Sequence, residues 1–169
     1  MEAHMTASPK QAHGIFDVII IGGGLAGLCN AIHLSKFGTN VLLIEKNQYP
    51  KHKVCGEYIS NEVLPYLAFL DINPFYFGAV KIDNFELSTT KNKRITTKLP
   101  LGGFGISRHQ LDFVLSEKAT KNGVVILQDT VVNTVFKEDV FVVTTKTDNV
   151  FTAKICIGSF GKRSLLDIK

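Results

Sequence analysis

Cysteine is scarce in this 169-residue sequence: Cys29, Cys55 and Cys156 are odd in number, widely spaced and without a CxxC pair. No disulfide framework follows, and a reducing compartment is implied. Proline occurs only five times and no residue type dominates, which excludes collagen-like, disordered and disulfide-scaffold classes. A strong excess of one charge is also missing. Nineteen basic residues against fifteen acidic give +4, scattered apart from small groups at Lys51–Lys53, Lys91–Arg94 and Lys162–Arg163. No basic face with aromatic or helical readout elements stands out, so nucleic acid is not an expected partner. The N-terminus lacks a basic region followed by an apolar stretch and a small-residue cleavage site, so no secretory signal is read. Val18–Ser35 carries no formal charge, but its four glycines, Asn30 and His33 suit a buried strand–loop–helix better than a membrane span. The expected location is cytoplasmic, with no integral membrane segment.

The length fits one ordinary domain with a real core. Residues 1–14 are polar and aperiodic and read as a disordered tail, with order from Ile15. Phe16–Ile21 is a short apolar run rich in β-branched residues, as in a strand buried on both faces of a parallel sheet. Leu25–Phe37 has helical apolar spacing and stops before Gly38, and Val41–Ile44 is a second buried strand closed by Glu45. Strand, helix and strand within about thirty residues make one βαβ unit. Beyond it, Ser60–Leu70 reads as a short helix capped by Ser60 or Asn61. Ile82–Thr90 and Arg94–Leu99 read as a hairpin through Lys91-Asn92-Lys93, and Pro100–Gly105 as a glycine-containing loop. Ser107 caps a helix running to Asn122, and four strands follow, at Val124–Leu127, Thr130–Phe136, Val140–Thr145 and Val150–Ile157. The fold expected is α/β and Rossmann-like, its parallel sheet extended by an antiparallel β-meander from about Val131 to Lys154.

The strongest motif is Gly22-Gly23-Gly24-Leu25-Ala26-Gly27, a GxGxxG between a buried strand and a helix. Gly22 permits the tight turn, Gly24 lets a pyrophosphate approach the backbone, and Gly27 lets the helix pack closely on the strand. The amides and dipole at the helix start, at Leu25 and Ala26, then hold phosphates. Glu45 ends the second strand 18 residues after Gly27, where a carboxylate accepts hydrogen bonds from an adenosine ribose. Lys46 follows it. Arg108 begins a helix after a glycine-rich loop, in position to grip a phosphate. Cys29 and Cys156 fall on core positions and read as small buried hydrophobes. His33, His52 and His109 lack metal-ligand spacing, and no metal site is expected.

Four segments together resemble the two-dinucleotide-fold flavoproteins of the geranylgeranyl reductase, flavin-dependent halogenase and aromatic hydroxylase group. They are Asp17–Glu45; Pro50-Lys51-His52-Lys53-Val54-Cys55-Gly56-Glu57; Gly105-Ile106-Ser107-Arg108-His109-Gln110-Leu111-Asp112; and Ile157-Gly158-Ser159-Phe160-Gly161-Lys162-Arg163-Ser164. The second is close to the Pro…Lys-x-Cys-Gly loop of geranylgeranyl reductase-like enzymes. The resemblance implies non-covalent FAD, with Arg108 on its pyrophosphate or ribityl and Val132, beside Val131, framing the adenine. It puts Lys53, Cys55 and Gly56 on the flavin side, with Cys55 as the candidate catalytic residue and Gly161 in the last cofactor segment. A hydrophobic small molecule is the implied substrate and NAD(P)H the implied reductant. Phe160 stands where the family carries an Asp, which tells against NAD(P)H, and Lys162 and Arg163 offer compensating charge. The expectation is a FAD-binding domain over 15–169, the FAD-binding portion of an oxidoreductase whose substrate domain lies outside this sequence. A non-catalytic nucleotide-binding module and an NAD-linked dehydrogenase stay open as alternatives.

Overall fold

A computed structural model describes residues 13–161. Its centre is a parallel set of strands: β1 (His13–Ile21), β2 (Val41–Glu45), β6 (Val125–Gln128) and β9 (Val150–Gly158), with β1 between β2 and β9 and β6 outside β2. β1 and β2 are apolar on both faces because both faces are covered. Val18, Ile20, Val41 and Leu43 share one core with α1 (Leu25–Lys36), α2 (Leu64–Phe69) and α3 (Arg108–Lys121). Ile19, Ile21, Leu42 and Ile44 share another with Val131 of β7 (Val131–Lys137) and Val143 of β8 (Val140–Thr145). The meander β7-β8-β9 thus covers one face of the parallel strands while its last strand belongs to them, closing the six-stranded sheet order β6-β2-β1-β9-β8-β7. The α/β Rossmann-like architecture and its antiparallel addition are as the pattern of elements predicts.

Ser107 caps α3 by accepting the Gln110 N–H, and Ser60 caps the 3-10 turn Asn61–Val63 that leads into α2. A second sheet, order β3-β5-β4, joins β3 (Tyr58–Ser60), β4 (Val80–Ser88) and β5 (Arg94–Gly105).

Two expectations are corrected. Pro100–Gly105 is not a loop but the second half of β5, paired with both β3 and β4. Its glycines serve close packing: a side chain at Gly103 would run into the Tyr58 ring. At the other end, order begins before Ile15. His13 and Gly14 already pair with Val150 and Phe151, because the long partner β9 carries the ladder that far, and the Phe16 ring lies over Gly14. Residues 1–12 of the expected tail, and Lys162, Arg163 and Ser164 of the last motif, lie outside the described residues. Among the described residues, no helix is long and apolar enough to cross a membrane.

Candidate functional site

The carboxyl ends of β1, β2 and β9 meet the start of α1, where open α/β sheets bind ligands. The turn there is forced by packing. Gly22 has φ +102°, and a Cβ on it would lie 2.7 Å from the backbone of Ser159 and Phe160; a Cβ on Gly27 would strike the Gly22 carbonyl oxygen. Gly24 differs. Its backbone is extended (φ −82°, ψ −172°), it caps α1 without a side chain, and its missing Cβ would face only the Lys53 ammonium, 3.7 Å away. Gly24 is therefore nearly bare at the end of α1 whose first N–H groups have no intrahelical acceptor.

Glu45 is buried at the end of β2 and ties the loop together. Its Oε2 accepts the Gly23 N–H at 2.7 Å, and its Oε1 accepts from the Asn47 backbone N–H and side-chain amide, both at 2.9 Å, and from Lys51 Nζ at 2.8 Å. Burial alone would raise its pKa, but Lys51 and the Asn47 and Gly23 N–H groups outweigh it and hold the carboxyl below its ordinary value. Four donors are about what one carboxylate accepts, so a ribose hydroxyl would take the place of one, with Lys51 and the Asn47 side-chain amide the two not fixed by backbone.

The segment after Glu45 folds back over the glycine loop. The Tyr49 hydroxyl donates to the Gly23 carbonyl at 2.5 Å, and Lys51 Nζ lies 4.9 Å from the centre of the Tyr49 ring. Farther along, Cys55 is exposed and its sulfur interacts with the Arg108 guanidinium, while the His52 and His109 rings lie 4.6 Å apart. Residues 49–56 thus bridge from the glycine loop to the start of α3. Gly56 is exposed and a Cβ on it would meet open space, and Lys46 is exposed beside Glu45.

Arg108, expected to grip a phosphate, is engaged within its own helix. Its Nε and one Nη donate at 2.8 Å each to the two oxygens of Asp112, a fully buried carboxylate one turn along α3. That pairing, with Cys55 adding to it, raises the guanidinium pKa. The i,i+4 spacing of Arg and Asp on a helix was the signal available for this pair. Val132 sits where the β7–β8 ladder skips a residue: Val131 pairs with Thr145 and Asn133 with Thr144, so Val132 stands outside the ladder as a bulge. It lies three residues beyond Asp129, whose N–H donates to the Glu45 carbonyl, which puts the bulge close to the Glu45 end of the site.

Ser159 and Phe160 complete the wall. Ser159 Oγ donates to the Gly22 carbonyl at 2.6 Å, and the Phe160 ring lies over Gly158 against the meander-side core. Where the resembled family carries an acid, this chain fills the position with packing. Gly161, with φ +76°, is exposed beyond it. Cys29 and Cys156 are half-buried rather than fully buried; burial, with the Asp112 charge adding for Cys29, pushes each thiol up to about 11. Tyr49, Lys51 and Ser159 were not singled out from sequence, because their value depends on backbone groups that only the fold brings near them. Among the described residues, no group of three or more His, Cys, Asp or Glu side chains is placed to hold a metal.

Residues 17–54 match the sequence model of a family described as FAD dependent oxidoreductase. LodB of Marinomonas mediterranea, named an FAD-dependent oxidoreductase, is 31% identical over 106 residues, 62% of this chain and 26% of that protein. The flavin-dependent halogenase otaD of Aspergillus carbonarius is 26% identical over 125 residues, 69% of this chain and 24% of that protein. The fold is shared with halogenase PltM, whose crystal structure holds phloroglucinol and FAD: the TM-score is 0.75 at 20% identity, over 89% of this chain and 35% of that one. The chain therefore spans about a quarter of the length of these curated relatives.

Proposed function

We propose, for a chain related to the FAD-dependent oxidoreductases in sequence and sharing the FAD-binding fold of the halogenases, that it forms the FAD-binding part of a flavin-dependent oxidoreductase. The observation that carries this reading is the bare, extended Gly24 at the start of α1, with Lys53 above it and Glu45 anchoring the loop beside it. A pyrophosphate fits that combination of approachable backbone, free N–H groups and one mobile cation.

In this reading the N–H groups of Gly24, Leu25 and Ala26 hold the phosphates, with Lys53 as counter-charge. Gly22 and Gly27 keep strand and helix close enough for the loop to reach them. Glu45 takes the adenosine ribose, exchanging Lys51 for a hydroxyl, and the bulged backbone of Val132 frames the adenine. Lys46 and Gly161 flank the cofactor. Arg108, with Cys55 and Gly56, faces the flavin, and Cys55 is the candidate catalytic residue there. Bound FAD supplies the hydride or oxygen chemistry, while the chain orients it and sets its surroundings.

The finer reading is an enzyme acting on a hydrophobic small molecule, reduced by NAD(P)H or another donor. The Lys53–Gly56 loop favours a geranylgeranyl reductase-like reaction; the halogenases among the relatives favour halogenation as the second reading. Purified chain is expected to carry, or take up, FAD, with absorbance bands at about 375 and 450 nm from the flavin itself, and to release FAD on denaturation. Protein that refuses FAD and binds NAD instead would sink the flavoprotein reading.

A further inference from the structure

We infer that the Tyr49 hydroxyl is a positioning group for the cofactor phosphates: it holds the Gly23–Gly24 peptide so that the Gly24 N–H is presented to the pyrophosphate. The inference rests on the FAD reading above. It comes from accounting for every backbone polar group in the three-glycine run. Gly22 donates its N–H to the Ile44 carbonyl at 2.8 Å and accepts from Ser159 Oγ at 2.6 Å. Gly23 donates to Glu45 Oε2 at 2.7 Å and accepts from the Tyr49 hydroxyl at 2.5 Å. The Gly24 carbonyl accepts the Leu28 N–H at 2.9 Å, the first turn of α1. Of these six groups, the Gly24 N–H alone has no acceptor among the described residues.

Three successive glycines are the freest backbone a chain can have, so the direction of that one N–H depends on what fixes the peptide carrying it. The Gly23–Gly24 peptide is trans, and in a planar trans unit the carbonyl and the following N–H point opposite ways. Drawing the Gly23 carbonyl onto Tyr49 therefore turns the Gly24 N–H away from Tyr49. Glu45 pins the same residue from its other side. The phenol suits the task because burial, with the Glu45 and Asp112 charges adding, pushes its pKa well above the ordinary value and keeps it a neutral donor. The fit is reciprocal: a Cβ on Gly23 would collide with the Tyr49 hydroxyl, so the close approach needs glycine on one side and tyrosine on the other.

The test is Tyr49→Phe in the full chain, with FAD, ADP and adenosine titrated by calorimetry and thermal unfolding recorded alongside. One lost hydrogen bond to an oriented peptide predicts FAD and ADP binding weakened about tenfold, adenosine binding unchanged, and a melting temperature close to that of the parent. Unchanged FAD and ADP affinity would overturn the role of Tyr49 and leave the FAD reading intact, as would adenosine weakened as much as ADP. A parent protein that binds neither FAD nor ADP would instead overturn the FAD reading and this inference with it. A second measurement needs no variant: the Gly24 amide resonance of the parent is expected to shift when ADP is added, and an unmoved Gly24 amide overturns the inference.

Discussion

At the scale of single residues, Gly24 and Gly27 separate binding from folding. Alanine at Gly24 meets only a flexible ammonium, so Gly24→Ala is expected to unfold at nearly the parent temperature yet lose most FAD affinity, since its methyl fills the phosphate approach. Alanine at Gly27 strikes a carbonyl oxygen, so Gly27→Ala is expected to cost about 1–3 kcal/mol and lower the melting temperature by roughly 5 °C. Equal behaviour of the two variants would remove the distinction. Glu45 gives a pH signature. Its folded pKa lies below the ordinary 4.5, so the stability it adds is complete above that value and lost as pH falls through the depressed one. Melting curves of parent and Glu45→Gln should differ at pH 7 and converge only once the pH has fallen below the depressed Glu45 pKa. Among the cysteines, the exposed Cys55 is expected to be alkylated in the native protein while Cys29 and Cys156, with thiols near 11, stay protected until unfolding. Mass spectrometry of iodoacetamide-treated protein counts the sites.

At the scale of elements, α3 shows how one helix was legible in its bounds and not in its chemistry. Ser107 and Gly123 bracket it correctly, because caps are local. The engagement of Arg108 with Asp112 depends on Asp112 being buried against the rest of the fold, which no local pattern states. A carboxylate fully buried with one charged partner is costly to neutralise. Asp112→Asn is expected to lower stability by about 3 kcal/mol, read as a fall of several degrees in melting temperature, with Arg108 left without its charged partner. β5 fails the other way. Its glycines read as a loop from sequence, yet they are strand positions, and Gly103 is kept bare for the Tyr58 ring.

At the scale of the whole molecule, β1 and β2 are covered on both faces, while the β4–β5 arm is not. Cross-strand register sets Leu87 opposite Ile95, and Phe85 opposite Thr97, on one face. Phe85, Leu87 and Ile95 are 50%, 57% and 68% exposed. An exposed apolar strip of this kind binds apolar dyes. The triple variant Phe85→Ser, Leu87→Ser, Ile95→Thr is expected to lose most of the anilinonaphthalene sulfonate fluorescence of the parent while keeping its melting temperature; undiminished fluorescence would locate the apolar surface elsewhere.

Sequence alone determined the βαβ unit, the glycine loop, Glu45 and the run of later strands, because each rests on short-range rules: periodicity, caps, and glycine where a turn or a phosphate needs it. Tertiary structure decided what those residues touch. It folded residues 49–56 back onto the glycine loop, engaged Arg108 with Asp112, made Val132 a bulge and turned Pro100–Gly105 into a strand. The physical reason is that hydrogen-bond satisfaction and close packing are settled between residues far apart in the chain, as with Ser159 on Gly22 and Tyr49 on Gly23.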